Sequence, residues 1–106
     1  MRYSKHYSKL DDDEYTTIRR YKKKRKVGQV EEEIINFHVV HRAMIKQIKR
    51  MTINNIPTKL LLKDTDCKTR EEAFLLIDGF YMKPIDKQKE KLFIFYMKKV
   101  NKINAL

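Results

Sequence analysis

The stretch from Phe37 to Lys46 alternates between two sets of side chains, and this pattern constrains the fold more than any other in the chain. In a β-strand, successive side chains point to opposite faces of the sheet. One face would therefore carry Phe37, Val39, His41, Ala43 and Ile45, and the other would carry His38, Val40, Arg42, Met44 and Lys46. Ile48 falls outside this period, which indicates a bulge or the end of the strand. We predict a long strand with one buried and one partly solvated face.

Three further stretches predict strands. Tyr15 to Arg19 is rich in β-branched and aromatic residues, as is typical of a short strand. Glu31 begins another strand, which includes Ile34 and Ile35. Leu92 to Met97 is a continuous apolar run, which is typical of a central strand buried on both sides.

The N-terminal segment allows two interpretations. Tyr3, Tyr7 and Leu10 are spaced so that they would share one face of a helix, or Tyr3 ends a first strand that a short helix follows. The acidic run 11–14 comes next, and we interpret it as a solvated turn whose charges suit the basic loop that follows Arg19.

The clearest helix begins after Thr69. Thr69 is a favourable N-cap, and Glu72 three residues later completes a capping box. Its predicted core-facing stripe consists of Ala73, Phe74, Ile77, Phe80 and Tyr81, and Pro84 limits its length. Upstream, we predict one helical turn that ends at Pro57 and then a short buried segment from Thr58 to Lys63.

These elements predict an α+β fold, in which about four to six strands form a small curved sheet or barrel with one main capped helix across an open end and short helical turns. A chain of 106 residues suits one domain, 1–106. No apolar run approaches the roughly 20 residues that span a membrane, and no signal peptide is recognisable, so we expect a cytoplasmic protein that does not enter membranes. Cys67 is the only cysteine, which excludes an internal disulfide and a cysteine-based zinc site.

Positive charge dominates the composition. The formal net charge is +11, which favours polyanionic partners. Between Arg19 and Lys26 there are seven cations, interrupted only by Tyr21. This basic loop is either a binding site for an anion or nucleic acid, or a solvated charge run. Tyr21 either stacks on an unpaired base or packs against the rim of the barrel, and Arg19 either contacts the ligand or forms a structural ion pair with Asp64, Asp66 or Glu14.

The segment Thr16-Thr17-Ile18-Arg19, the basic loop and Val27-Gly28-Gln29-Val30 together resemble the ASCH domain of the PUA-like superfamily. Gln29 stands where the family usually has an aspartate. The resemblance implies a small PUA-like β-barrel with a cleft beside the Thr16 to Arg19 strand. It also implies RNA or a nucleotide as the ligand, because members are linked to these through their PUA-like relatives.

One branch of that family hydrolyses acetylcytidine with a lysine, a threonine and a glutamate. By resemblance, the threonine corresponds to Thr17 and the glutamate lies near Asp66, with Asp64 as a substitute. Glu14 or its acidic neighbours occupy the place of the lysine. If the protein is an acetylcytidine amidohydrolase, the catalytic residues expected from the resemblance are therefore Thr17, Asp66 and Glu14. Glu14 cannot supply the positive charge of a lysine, which argues against this activity.

We therefore expect a module that binds RNA or a nucleotide. The expected anion-binding residues are Thr17, Arg19, Arg20, Tyr21, Lys22, Lys23, Lys24, Arg25 and Lys26. The alternatives are a small amidohydrolase that acts on an acylated nucleoside and a protein-interaction domain for an acidic partner. We expect a monomer with no cofactor and no metal.

Overall fold

The computed structural model describes residues 1–100, so the last residues of the predicted domain 1–106 lie outside the described part. Five strands form one mixed sheet in the order β1-β3-β4-β5-β2. They are β1 (Arg2–Tyr3), β2 (Glu14–Arg19), β3 (Val30–Ile35), β4 (His38–Thr52) and β5 (Lys91–Lys99). β1 pairs parallel to β3, and the other neighbours are antiparallel. The sheet curls into half a barrel, so the predicted α+β class and barrel-like shape are confirmed in outline.

Two helices and two 3-10 turns complete the described fold. The helices are α1 (Thr58–Thr65) and α2 (Arg70–Gly79), and the 3-10 turns are Ser8–Asp11 and Ile53–Asn55. Thr69 caps α2, because its Oγ1 accepts a hydrogen bond from the Glu72 backbone N–H at 3.2 Å. Ala73 and Ile77 of the predicted stripe are buried, but Phe80 lies just past the helix and is half exposed. No helix within residues 1–100 combines the length and apolarity needed to cross a bilayer.

β4 confirms the predicted long strand, which extends to Thr52. The alternation of buried and exposed side chains holds from His41 to Lys46, whereas Val39 is 46% exposed and the register with β3 shifts between the pairs Glu33–His41 and Ile34–Val39. Ala43 and Ile45 are fully buried. The register shifts between Ile45 and Gln47, which is the bulge that Ile48 indicated. Phe37 was wrongly predicted to belong to the strand: it occupies the turn between β3 and β4, has a left-handed φ of 66° and is 90% exposed.

The structure corrects the prediction for the stretch Thr58 to Lys63 and decides between the two interpretations of the N-terminal segment. The stretch Thr58 to Lys63 is part of helix α1, which the sequence did not mark because three adjacent leucines have no helical period. At the N-terminus, the second interpretation is correct: Tyr3 ends strand β1, and a 3-10 helix follows. The parallel pairing of β1 with β3 is a long-range contact that no local pattern indicates.

The core has two parts that meet at β5. Leu92 and Ile94 pack with the helices and with Ile18 of β2. Phe95 and Met97 pack with the N-terminal segment and with β4. β5 is therefore buried on both faces and lies between β4 and β2, which confirms the prediction of a central strand.

Candidate functional site

A cavity of about 240 Å³ lies where the N-terminal segment, strand β2 and the two helices meet. β2 contributes Thr17, Ile18 and Arg19 to its walls. The N-terminal segment contributes the aromatic rings of Tyr3 and Tyr7 together with Lys9; the end of α1 contributes Asp64 and Thr65; and α2 and the residues after it contribute Leu76, Ile77, Phe80 and Tyr81. A volume of this size is below the roughly 300 Å³ at which drug-sized sites begin, so it suits a single small ring system.

Arg19 is held at the edge of this cavity by three contacts. Its Nε donates a hydrogen bond to Thr17 Oγ1 at 3.1 Å, and its Nη2 donates to the Arg2 carbonyl at 2.9 Å. The guanidinium also lies over the Tyr3 ring, 4.9 Å from the centroid. Thr17 and Arg19 meet because residues two apart in a strand share a face. Across residues 1–100, no carboxylate forms an ion pair with Arg19.

Lys9 and Asp64 form a buried ion pair in the wall of the cavity. Lys9 is 3% exposed, and its Nζ lies 3.1 Å from Asp64 Oδ1. The second carboxylate oxygen accepts a hydrogen bond from Thr16 Oγ1 at 2.8 Å. Burial lowers the pKa of Lys9, and the Asp64 carboxylate opposes that shift by stabilising the ammonium form. The role of Lys9 is not predictable from the sequence, because nothing in its neighbourhood distinguishes it from the many exposed lysines.

Behind the cavity, a second buried carboxylate fixes Tyr3. Glu33 is fully buried, and its Oε1 accepts hydrogen bonds from the hydroxyls of Tyr3 at 3.1 Å and Tyr15 at 2.6 Å. Its Oε2 lies 2.9 Å from the α-ammonium of Met1. His41 Nε2 lies 2.8 Å from the Tyr15 hydroxyl and donates to it, because the hydroxyl hydrogen is directed at Glu33. Burial, with the Glu33 charge, raises the pKa of Tyr3, so this phenol stays protonated.

The basic loop divides into paired and unpaired cations. Arg20 makes a bidentate ion pair with Glu90, with Nε–Oε2 at 2.6 Å and Nη2–Oε1 at 2.8 Å, so its role is structural. Arg25 is paired with Glu31 at 2.7 Å. Lys22, Lys23, Lys24 and Lys26 form no ion pair with any residue from 1 to 100. The acidic run 11–14 does not meet this loop: its ion pairs are with His6, Lys63 and Lys46.

Tyr21 adopts the rim packing that was one of its two predicted roles. It makes an edge-to-face contact with Tyr81, with 6.0 Å between the ring centroids, yet 58% of its surface remains exposed. The exposed part leaves room for a second ring. The packed edge fixes the orientation of the side chain.

Of the residues that the resemblance assigned to catalysis, Thr17 lines the cavity and two others do not. Asp66 follows α1 and accepts hydrogen bonds from the backbone N–H and the hydroxyl of Ser8. Glu14 is at the opposite end of β2 from Arg19 and forms an ion pair with Lys46, whose Nζ lies 2.7 Å from Glu14 Oε1. The hydrogen bond in this pair lowers the pKa of Glu14. The structure brings Thr17 together with Lys9 and Asp64 instead. Within the described chain, no group of three or more metal-ligating side chains converges.

A second, shallower groove of about 350 Å³ opens beside the cavity. The two share the side chains of Arg2, Arg19 and Tyr81. The groove is completed by Met1, Tyr21, Lys23, Arg25 and Ile34. No carboxylate from the described residues lines it.

The fold and this site define a small curled α+β protein with a cation-edged cavity. No protein-family model, curated protein or solved structure significantly matches the chain, so the resemblance to the ASCH domain rests on its sequence motifs alone.

Proposed function

We propose that this protein binds RNA or a nucleotide, with one base in the cavity beside Thr17 and Arg19. The observation that carries the proposal is the state of Arg19. Its guanidinium is fixed by Thr17, Arg2 and Tyr3, but it lacks a carboxylate partner within the described chain. Its Nη1 donates no hydrogen bond within residues 1–100. A planar, oriented guanidinium with free donors suits a phosphate or the edge of a base.

The walls of the cavity support a base as the occupant. Tyr3, Phe80 and Tyr81 offer aromatic surface on which a base stacks, and such stacking contributes about 1–3 kcal/mol per base. Thr17 lines the same wall, where it is 2% exposed and its Oγ1 holds Arg19 in place. The small volume favours one unstacked base, which a single strand exposes and a duplex does not. The formal charge of +11 adds a general attraction to the phosphate backbone.

The test is a fluorescence-anisotropy titration of single-stranded RNA, duplex RNA and duplex DNA at two salt concentrations, with heparin as competitor. We expect single-stranded RNA to bind most tightly and to resist heparin. Arg19→Gln should weaken that binding by about tenfold or more, since one good bidentate contact is worth roughly 1–3 kcal/mol. The matched control is Arg42→Gln, which removes the same charge from an exposed position on β4.

Two results would contradict the proposal. If Arg19→Gln and Arg42→Gln weaken binding equally while both variants stay folded, Arg19 is only a generic charge. If heparin displaces RNA completely and all nucleic acids bind alike, the protein-interaction alternative with an acidic partner becomes the better account.

A second candidate is hydrolysis of an acylated nucleoside, which the position of Lys9 favours. Lys9 supplies, in the same cavity as Thr17, the lysine that the sequence alone did not place near that threonine. In this reaction, the Thr17 hydroxyl would attack the acyl carbon as its proton passes to a neutral Lys9, and the resulting ammonium would give that proton to the departing amine nitrogen as the C–N bond breaks. Lys9 would then take a proton from the water that attacks the Thr17 ester and return it to Thr17 Oγ1 as the acid leaves. Desolvation of Lys9 favours the neutral form, whereas its ion pair with Asp64 opposes it.

Turnover of N-acylated nucleosides, followed by chromatography of the released nucleoside, tests this candidate. Thr17→Val should abolish turnover, and Thr17→Ser should retain part of it because the hydroxyl remains. An absence of turnover by the unaltered protein on a panel of acylated nucleosides would remove hydrolysis from consideration.

A further inference from the structure

The cavity and the adjoining groove share part of their lining, and the charges around them differ. The carboxylate in the cavity, Asp64, is already paired with Lys9. The groove contains cations and aromatic rings but, among the described residues, no carboxylate. The two spaces share Arg2, Arg19 and Tyr81 in their walls, so a ligand seated in the cavity lies beside the groove.

Three cations that line the groove have no acidic partner within residues 1–100. Arg25 also lines the groove, but Glu31 neutralises it. Arg2, Arg19 and Lys23 form no ion pair with a described carboxylate. Uncompensated cations held close together repel one another, and a phosphate relieves that repulsion while accepting their hydrogen bonds.

The backbone holds Lys23 in an unfavourable conformation at the edge of this groove. Its φ of 56° lies in the left-handed region, which is unfavourable for a non-glycine residue. The turn is closed by a hydrogen bond from the Arg25 N–H to the Lys22 carbonyl at 3.3 Å, and the pair between Arg25 and Glu31 anchors it to the sheet. Lys23 is therefore exposed but fixed at its backbone, as a phosphate contact requires.

We propose that the ligand is recognised as a nucleotide and not as a nucleoside: its base occupies the cavity, and a phosphate attached to the same sugar lies in the groove against Arg2, Arg19 and Lys23. This inference rests on the proposed function, because it assumes a base in the cavity. The phosphate belongs either to a free nucleoside monophosphate or to the backbone of RNA. Arg19 contacts both parts, since it lines both spaces.

Calorimetric titration of matched ligands tests the proposal. The probes are the four ribonucleosides, their 5′- and 3′-monophosphates, inorganic phosphate and a short single-stranded RNA. For the preferred base, we expect one monophosphate to bind at least about tenfold more tightly than its nucleoside, because hydrogen bonds to charged groups contribute roughly 1.5–3 kcal/mol. Lys23→Gln should reduce that ratio several-fold. Lys59→Gln, an exposed lysine on α1 outside both spaces, should leave the ratio unchanged.

The outcomes separate this inference from the function on which it rests. Equal binding of nucleoside and monophosphate, with both weakened by Arg19→Gln, would overturn the phosphate site and leave the base site standing. Failure of every nucleoside, nucleotide and RNA to bind would overturn both. If the phosphate preference holds, tighter binding of the RNA than of the monophosphate identifies the backbone as the source of the phosphate, and the reverse order identifies a free nucleotide.

Discussion

Phe37 carries the clearest backbone strain in the described chain. Asn36 and Phe37 form the two-residue turn between β3 and β4, both with positive φ, and such a turn favours Asn followed by Gly. A left-handed phenylalanine costs about 1–2 kcal/mol, whereas glycine loses about 0.5–1 kcal/mol more backbone entropy on folding. We therefore expect Phe37→Gly to raise the free energy of unfolding by about 0.5–1 kcal/mol in urea denaturation. Phe37→Ala removes the ring but keeps the strain, so an equal gain in that control would show that strain is not the cause.

The buried pair of Lys9 and Asp64 should behave differently from an exposed one. Lys9→Met leaves a buried carboxylate without its cation, and such a loss costs about 3–5 kcal/mol. Adding Asp64→Leu removes the stranded charge and should restore most of the free energy of unfolding. The control is Lys46→Met, which breaks the exposed pair with Glu14 and should cost less than about 1 kcal/mol. A double variant as unstable as Lys9→Met alone would show that the pair does more than neutralise charge.

Asp66 should make stability depend on acid pH. Desolvation acts to raise its pKa, but the two hydrogen bonds from Ser8 outweigh it and lower the pKa below its ordinary value. The carboxylate therefore stabilises the fold above the unfolded pKa of about 3.9, and this contribution is lost as pH falls through the lower folded pKa. Asp66→Asn should be less stable than the unaltered protein at neutral pH, and the difference in stability should close as pH falls through the lowered folded pKa of Asp66. If Asp66→Asn remains less stable than the unaltered protein at acid pH, its lower stability comes from altered hydrogen-bond geometry and not from the missing carboxylate charge.

At the scale of elements, α2 depends on its first residue. Thr69→Ala removes the hydroxyl that accepts from the Glu72 N–H, and losing such a cap costs about 1 kcal/mol. Thr69→Ser keeps the hydroxyl and should cost only a few tenths of that. Urea denaturation of both variants compares them. Because Leu76 and Ile77 of α2 line the cavity, Thr69→Ala should also weaken nucleotide binding, and unchanged affinity would show that the start of the helix does not affect the site.

The elements that the sequence predicts are those with a local signal. α2 has its cap at Thr69, β4 has its two-residue period and β5 has a continuous apolar run. α1 was not recognised as a helix, because Leu60, Leu61 and Leu62 are consecutive and the helix begins after Pro57 without a side-chain cap. Phe37 was placed on the strand because it keeps the alternation, although the turn needs positive φ and phenylalanine gives no sign of it.

At the scale of the whole molecule, the excess positive charge should oppose folding. The net charge of +11 is confined to a small volume, and dissolved salt screens that repulsion. We expect the melting temperature to rise as sodium chloride increases from about 0.05 M to about 0.5 M. Sodium chloride is used and not a sulfate salt, because sulfate also stabilises folded proteins by strengthening the burial of apolar surface. A falling melting temperature would mean that the ion pairs, such as Arg20 with Glu90, contribute more than the repulsion removes.

The candidate site was predictable only along one strand. The two-residue spacing of Thr17 and Arg19 places them on one face, and the basic loop follows directly. Asp64 was placed near the site by the family resemblance and not by a local pattern. Lys9 and Tyr81 join the site from distant parts of the chain, and no local pattern encodes such contacts. Glu33 was missed for the same reason, because its partners Tyr3 and Tyr15 lie in other strands.

The order of strands in the sheet determines when the cavity comes into existence. β2 is an edge strand whose ladder is formed with β5, and some seventy residues separate the two along the chain. During synthesis, the backbone groups of β2 that pair with β5 lack their hydrogen-bond partners until β5 has been made. Pairing of two strands across so long a loop is slow, because the loop loses conformational entropy when it closes. Until β5 pairs with β2, the wall of the cavity that contains Thr17 and Arg19 is not formed. The cavity is therefore complete only once β5 has paired with β2. A nucleotide bound there, as we propose, would stabilise only the folded state.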